Sequence, residues 1–392
     1  MADNSYSFAS LMEITKRPAT VFVEGHGSWL KDADGKEYLD FVQGWGVNCL
    51  GHSPRVLVEA IAGQAEKLIN CSPAYYNEPM IKLADLIVKH SCLQKVFFAN
   101  SGAEANEGAI KLARKWGQKY RQGAYEIITM DHAFHGRTLA TMSASGKAEW
   151  AQLYEPKVTG FPKVNLDDLN AVQAAINEKT VGVMLEPIQG EAGVFVATDE
   201  YLKGLRKLTR EKGILLILDE IQTGMGRTGK LFGYQHSGVE PDIMTLAKGI
   251  GGGVPLGALV AHESICCFEP GDQGGTFNGN SLMMAVGIAV FGEIMKPGFL
   301  EKVTETGAYL QGRLEELSKQ YGFGEVRGRG LLLAMDLIKE NGPQIVEESL
   351  NRGLLINSPR KNTLRFMPAL IVTREEIDRM IDILKKVFPV VG

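Results

Sequence analysis

Ile214-Leu215-Leu216-Ile217-Leu218 is a run of five large apolar residues that ends on two acids, Asp219 and Glu220. Comparable runs recur at 96–99, 126–130, 181–185, 243–247 and 256–260. Each is too short for a helix and lacks alternation of apolar and polar positions, the pattern of a strand buried on both faces. Between the runs, apolar residues return at helical spacing near 55–69, 79–90, 103–121 and 199–211. Strands and helices alternating in this way predict an α/β fold, a largely parallel sheet lying between layers of helices. The two ends of the chain differ from its middle. Residues 28–31 and 37–41 flank Asp34-Gly35, a strong hairpin signal. Amphipathic helices near 281–295 and 299–320 precede strands near 330–336 and 363–367 and a last helix near 374–388, which predicts a smaller α+β unit.

In open α/β sheets ligands bind beyond the carboxyl ends of the strands. That rule nominates Asn100-Ser101-Gly102, Asp131-His132, Glu186-Pro187, Asp219-Glu220 and Lys248-Gly249. Ser101-Gly102-Ala103-Glu104 has the spacing of a capping box ahead of a helix. The same helix start suits an anion, because Gly102 admits close approach and the first N–H groups and the helix dipole favour phosphate. Asp219 ends a buried run and needs a cationic partner or several donors, since unpaired burial of a carboxylate is unfavourable. A structural salt bridge would satisfy it, and so would the protonated nitrogen of a heteroaromatic cofactor. Lys248 follows Ile243-Met244-Thr245-Leu246-Ala247 and precedes Gly249-Ile250-Gly251-Gly252-Gly253. It either snorkels from a strand end or sits among apolar groups with a depressed pKa, where its neutral amine is nucleophilic. A phosphate loop, a carboxylate for a ring nitrogen and a lysine for an aldehyde are together the three handles of pyridoxal 5′-phosphate.

Competing motifs are weaker. Gly224-Met225-Gly226-Arg227-Thr228-Gly229 fits G-x-G-x-x-G, but Phe232-Gly233-Tyr234 and Pro241 leave no room for the helix a dinucleotide fingerprint opens. Gly224 to Lys230 fits G-x-x-x-x-G-K, with Leu231 where Ser or Thr would hold magnesium. A nucleotide-binding oxidoreductase or an NTPase rests on these glycines alone. His132 and His135 lie three apart with no third ligand at a recognisable spacing, so no metal is expected. Phe134 and Arg137 share that loop, where an aromatic face can stack on a cofactor ring and a guanidinium can clamp a carboxylate.

Composition narrows the setting. The net charge of −4 gives no reason to expect nucleic acid or an anionic membrane as partner. No apolar run reaches the roughly 18 residues of a membrane span, and Met1-Ala2-Asp3-Asn4-Ser5 has no signal-peptide character. A cytoplasmic protein is expected. The cysteines (Cys49, Cys71, Cys92, Cys266 and Cys267) are scattered without a C-x-x-C pair, which predicts reduced thiols rather than a disulfide framework.

The chain resembles the class-III pyridoxal-phosphate-dependent aminotransferases of the ornithine and acetylornithine type. The resemblance is carried by Asn-Ser-Gly-Ala-Glu-Ala-Asn at 100–106, Ala-Phe-His-Gly-Arg-Thr at 133–138, Glu-Pro-Ile-Gln-Gly-Glu at 186–191, Asp-Glu-Ile-Gln-Thr-Gly-Met-Gly-Arg-Thr-Gly at 219–229, Lys-Gly-Ile-Gly-Gly-Gly at 248–253 and Leu-Arg-Phe-Met-Pro at 364–368. It implies fold type I of the pyridoxal-phosphate transferases. Residues 1–50 would join a small domain, 51–275 form the large cofactor domain and 276–392 the C-terminal small domain. By position, it implies that Lys248 bonds to the cofactor aldehyde and shuttles protons, Asp219 pairs with the ring nitrogen and Gln222 contacts the ring hydroxyl. Ser101, Gly102 and Ala103 would hold the phosphate and Phe134 would stack on the ring. Thr276 would reach the phosphate in a neighbouring subunit, which implies a homodimer with sites at the interface.

For substrates the resemblance implies that Arg137 clamps one carboxylate, Arg365 takes a second from glutamate or 2-oxoglutarate, and Glu191 covers Arg365 in the other half-reaction. Gly275 and Trp45 fall at substrate-pocket positions. The implied reaction moves the terminal amino group of N2-acetyl-L-ornithine to 2-oxoglutarate, giving N-acetyl-L-glutamate 5-semialdehyde and L-glutamate, in arginine biosynthesis. Succinylornithine, ornithine, 4-aminobutyrate and N-succinyl-diaminopimelate are alternative donors. Some positions depart from the family: Ala103 replaces a frequent Thr, Gly275 a usual Ser or Thr, and Asn278 and Ser281 a frequent Gly and Pro. Trp45 offers no hydroxyl to a free α-ammonium, which fits an acylated donor rather than ornithine and equally fits a shifted substrate preference.

Overall fold

The computed structural model describes residues 6–150 and 152–391, so the N-terminal residues read for a signal sequence lie outside it. Seven strands form the central sheet in the order Lys95–Ala99, Gly257–Ala261, Ile243–Leu246, Leu215–Asp219, Thr180–Leu185, Glu126–Met130, Lys163–Val164. Gly257–Ala261 runs antiparallel to both neighbours, and the other pairings are parallel. The six apolar runs of the sequence are therefore all strands of one sheet.

Strand parity explains why those runs do not alternate. Leu215 and Ile217 pack on one face with Ala109, Ile110 and Ala113 of the helix Gly102–Tyr120. Leu216 and Leu218 pack on the other face, in the larger core. Both faces are covered, so every position is apolar. Each such side chain contributes about 1.5–3 kcal/mol on burial.

A second, antiparallel sheet has the order Val326–Arg329, Leu332–Asp336, Thr363–Phe366, Asn357–Arg360. The helices Phe299–Tyr321 and Arg374–Val391 accompany it. At the other end of the chain, Trp29–Asp32 and Glu37–Asp40 form the expected hairpin, extended by Phe22–His26 on one side and by Leu354–Leu355 on the other. The N-terminal segment is thus tied by hydrogen bonds to the C-terminal third. Among the described residues no single helix is long and apolar enough to cross a membrane.

Candidate active site

Asp219 is the last residue of its strand and shares the face of Leu215 and Ile217, the face that meets the helix Gly102–Tyr120. On that helix Asn106 lies four residues after Gly102, and its Nδ2 donates to Asp219 Oδ2 at 2.7 Å. Parallel pairing sets Thr245 beside Asp219. The Thr245 hydroxyl donates to Asn106 Oδ1 at 2.7 Å, which fixes the amide with its NH₂ toward Asp219 and the carbonyl of His135. His135 Nδ1 lies 2.8 Å from the same Asp219 oxygen, and Ile221 N–H donates to the other at 3.1 Å. Asp219 is thus 3 % exposed and firmly oriented, yet neither lysine nor arginine pairs with it among the described residues.

Lys248 emerges from Ala247 at the end of the neighbouring strand, in a left-handed conformation with φ 48°. A non-glycine residue there is strained by about 1–2 kcal/mol. Burial pushes the Lys248 amine below its ordinary pKa; nearby Glu191 opposes the shift and Arg365 reinforces it. Lys248 and Asp219 face one cavity of about 440 Å³, together with Ser101, Gly102, Ala103 and Phe134.

At the helix start, Ser101 Oγ accepts from Glu104 N–H at 3.2 Å, as the capping pattern predicts. The reciprocal half differs, because Glu104 Oε2 accepts from Asn100 N–H at 2.7 Å, one residue before the cap. The N–H groups of Gly102 and Ala103, first in the helix, find no acceptor among the described residues, as helix geometry requires. A side chain at Gly102 would meet Ile221 Cδ1 at 2.8 Å, so glycine keeps this corner open.

The remaining candidates fall into two groups. Gln222, Glu191 and Arg137 also line the cavity. Arg365 is fully buried, and its Nη1 donates to Glu191 Oε1 at 2.8 Å while Asn357 Oδ1 accepts from its Nε and Nη2 at 3.0 and 2.8 Å. Burial alone would raise the Glu191 carboxyl, but Arg365 and Lys248 hold it below the usual carboxylate range. Thr276 and Gly275 are exposed and outside the cavity. Trp45 stands outside it too, 52 % exposed on a left-handed turn, and touches the site through its carbonyl, 3.5 Å from Gln222 Nε2.

The cavity suits pyridoxal phosphate on its own features. Two buried polar atoms on its wall, His135 Nε2 and Gln222 Oε1, have no partner among the described residues. With the free N–H groups of 102–103 and Asp219, which no lysine or arginine pairs among the described residues, they supply acceptors for a heteroaromatic cation and donors for a phosphate. The glycines at 224–230 form successive turns and lead into the three-residue turn Gly233–Gln235, not a helix.

Sequence reasoning missed Asn106 and His135 as partners of Asp219 and Thr245 as the residue that orients Asn106; Glu186 was nominated only as a strand end, with no role. Glu186 is buried, accepts from Phe134 N–H at 2.9 Å, and is pushed up to about 7 by burial, with Asp219 adding to the rise and His135 opposing it. A carboxyl raised in the fold stabilises it fully below the unfolded value, and that contribution is lost as pH rises toward 7. Glu186→Gln should therefore match wild type in cofactor-free thermal unfolding at pH 4.5 and gain on it, on the order of 1–3 kcal/mol, by pH 8. A pH-independent difference would show that Glu186 ionises normally.

Residues 12–388 match the family model for class-III aminotransferases. The chain is 61% identical to an acetylornithine aminotransferase of Ralstonia nicotianae, with 98% of each chain covered. It is 50% identical to one from Caldanaerobacter subterraneus, again with 98% of each covered. Among solved structures it is similar to N-acetylornithine aminotransferase from Stenotrophomonas maltophilia (34% identity, TM-score 0.84, 95% of this chain and 96% of that one). It is also similar to ornithine aminotransferase from Toxoplasma gondii (31% identity, TM-score 0.93, 98% and 93%). The chain belongs to the class-III aminotransferases, enzymes that use pyridoxal phosphate.

Proposed function

We propose that this chain transfers the terminal amino group of N2-acetyl-L-ornithine to 2-oxoglutarate, releasing N-acetyl-L-glutamate 5-semialdehyde and L-glutamate. One observation carries the reading: a fully buried arginine, Arg365, capped by Glu191 within reach of Lys248. Two substrates that present different ends to one amine need a carboxylate site that can be covered and uncovered. With Glu191 on Arg365, Arg137 clamps the donor's carboxylate and its terminal amine meets Lys248. With Glu191 moved away, Arg365 takes a carboxylate of glutamate or 2-oxoglutarate.

Bound pyridoxal phosphate supplies the electron-withdrawing ring and the aldehyde that carries the amino group between substrates. Asp219 would hold the ring nitrogen in its protonated form, Gln222 would meet the ring hydroxyl and Phe134 would cover the ring. Ser101 and the N–H groups of Gly102 and Ala103 would hold the phosphate. Lys248, whose amine burial pushes below its ordinary pKa, is placed to take the substrate's proton and return it to the neighbouring carbon.

The exposed Tyr75, Tyr76 and Phe277 support a homodimer in which Thr276 and Gly275 complete the partner's site. We read residues 51–275 as the cofactor domain, 1–50 and 276–392 as the small domain, and the enzyme as cytoplasmic. The donor is supported by the relatives at 61% and 50% identity, both acetylornithine aminotransferases.

A panel of donors with 2-oxoglutarate tests this: acetylornithine should give the highest kcat/KM, and a preference for ornithine or 4-aminobutyrate would overturn the assignment. Glu191→Ala should lower the ratio of kcat/KM for acetylornithine to that for glutamate by roughly tenfold or more, about 1.4 kcal/mol. An unchanged ratio would remove Glu191 from substrate selection.

A further inference from the structure

Glu191 has a second cation beside it. Its Oε1 is bonded by Arg365, while its other oxygen, Oε2, lies 3.9 Å from Lys147 Nζ. Both side chains are about a fifth exposed, at 20% and 21%. We propose that Lys147 is a positioning residue for substrate exchange: it receives the Glu191 carboxylate when a substrate carboxylate occupies Arg365. This rests on the reading of Glu191 and Arg365 given above.

The argument begins with the displaced acid. Pushed off Arg365, Glu191 would be a largely buried carboxylate without a partner, which is strongly unfavourable. Lys147 already stands at its free oxygen, and a shift of about 1 Å makes a charge-assisted hydrogen bond of normal length. The ammonium is held in readiness, because its Nζ lies 5.2 Å from the Phe134 ring centroid and 5.4 Å from that of Trp150. Those distances fit cation–π contact.

The backbone is fixed as well. Gly146 N–H donates to the Ala133 carbonyl and His132 N–H to the Gly146 carbonyl, both at 3.0 Å. A Cβ at Gly146 would fall 2.4 Å from the Met130 carbonyl oxygen, so this junction accepts only glycine. Lys147 is thereby clamped to the loop that carries Phe134 and Arg137. Its two positions of use differ by a small motion of Glu191, not of Lys147.

The test uses the holoenzyme and glutarate, an inert five-carbon dicarboxylate. Lys147→Met should weaken glutarate binding in calorimetry about tenfold and slow the glutamate half-reaction similarly, through KM more than kcat. The acetylornithine half-reaction should change less than about twofold, and Lys147→Arg should recover most of the glutarate affinity. In a Glu191→Gln background, Lys147→Met should have little further effect on glutarate. Equal losses in both half-reactions, no loss at all, or an undiminished loss in the Glu191→Gln background would overturn the proposal. If Glu191→Gln by itself leaves the balance between the half-reactions unchanged, the underlying exchange at Arg365 fails instead.

Discussion

Lys248→Ala is expected to lower kcat/KM for transamination by at least about 10⁴-fold. A positioned general base is worth roughly 10²–10⁴-fold, and the same side chain also provides the covalent attachment that orients the aldehyde. The other amine nearby, Lys147, is engaged beside Glu191 and the Phe134 ring, and Lys248 is the one lysine lining the cavity among the described residues. Misfolding would not explain the loss. Alanine at φ 48° is no more strained than lysine, so the turn after Ala247 gains nothing and loses nothing in backbone terms. The variant should therefore unfold at nearly the wild-type temperature. Borohydride reduction followed by peptide mass mapping should place the label on Lys248 in wild type and on no residue in the variant. Retention of more than about one per cent of activity would remove Lys248 from the proton transfer, because the base contribution alone exceeds that.

Much of this was legible one strand at a time. The run at 214–218 announced its own burial, and a chain that leaves a buried strand on a carboxylate must answer for that charge. The same reasoning singled out Lys248. What stayed hidden was lateral. That Thr245 sits beside Asp219 depends on strand register, and that Asn106 faces both depends on how a helix lies across the sheet. Neither is encoded in any local window of sequence. Parity puts Asp219 on the face of Leu215 and Ile217, but that this face meets the helix after Ser101 is again a matter of packing.

His135 was weighed as a metal ligand because two histidines three apart invite that thought; the fold instead turns it onto Asp219. Two elements of the antiparallel sheet region also escaped notice for local reasons. The helix Gly342–Asn351 begins Gly342-Pro343, which resembles a turn, although proline suits a first helical turn. The strand Asn357–Arg360 contains Pro359 and survives because it is an edge strand, where a missing N–H can face outward. Arg365 was reached only through resemblance: an arginine in the middle of an apolar strand gives no sign of the acid that will cover it.

Asp219→Asn should lower kcat/KM by roughly 10³-fold, within the 10²–10⁴ range of a lost protonation control. The substitution is nearly isosteric, so packing against Asn106 and His135 is kept. What changes is charge and polarity. Oδ2 accepts from Asn106 Nδ2 and faces His135 Nδ1, and Oδ1 accepts from Ile221 N–H. An asparagine can keep only one oxygen, so its NH₂ must face a donor on one side. Turned toward Ile221, it loses that bond; turned toward Asn106, it opposes an amide whose orientation Thr245 has fixed. Either way no anion remains to hold a proton on a ring nitrogen, and the ring withdraws electrons less strongly at neutral pH. The loss should therefore appear in proton abstraction, as a large fall in the single-turnover rate with a smaller change in donor affinity. Asp219→Glu should not restore it, because a carboxylate one methylene longer overruns the fixed Asn106 and His135 donors. A loss below about tenfold for Asp219→Asn would mean that the partners around this carboxylate, and not its charge, are what the site requires.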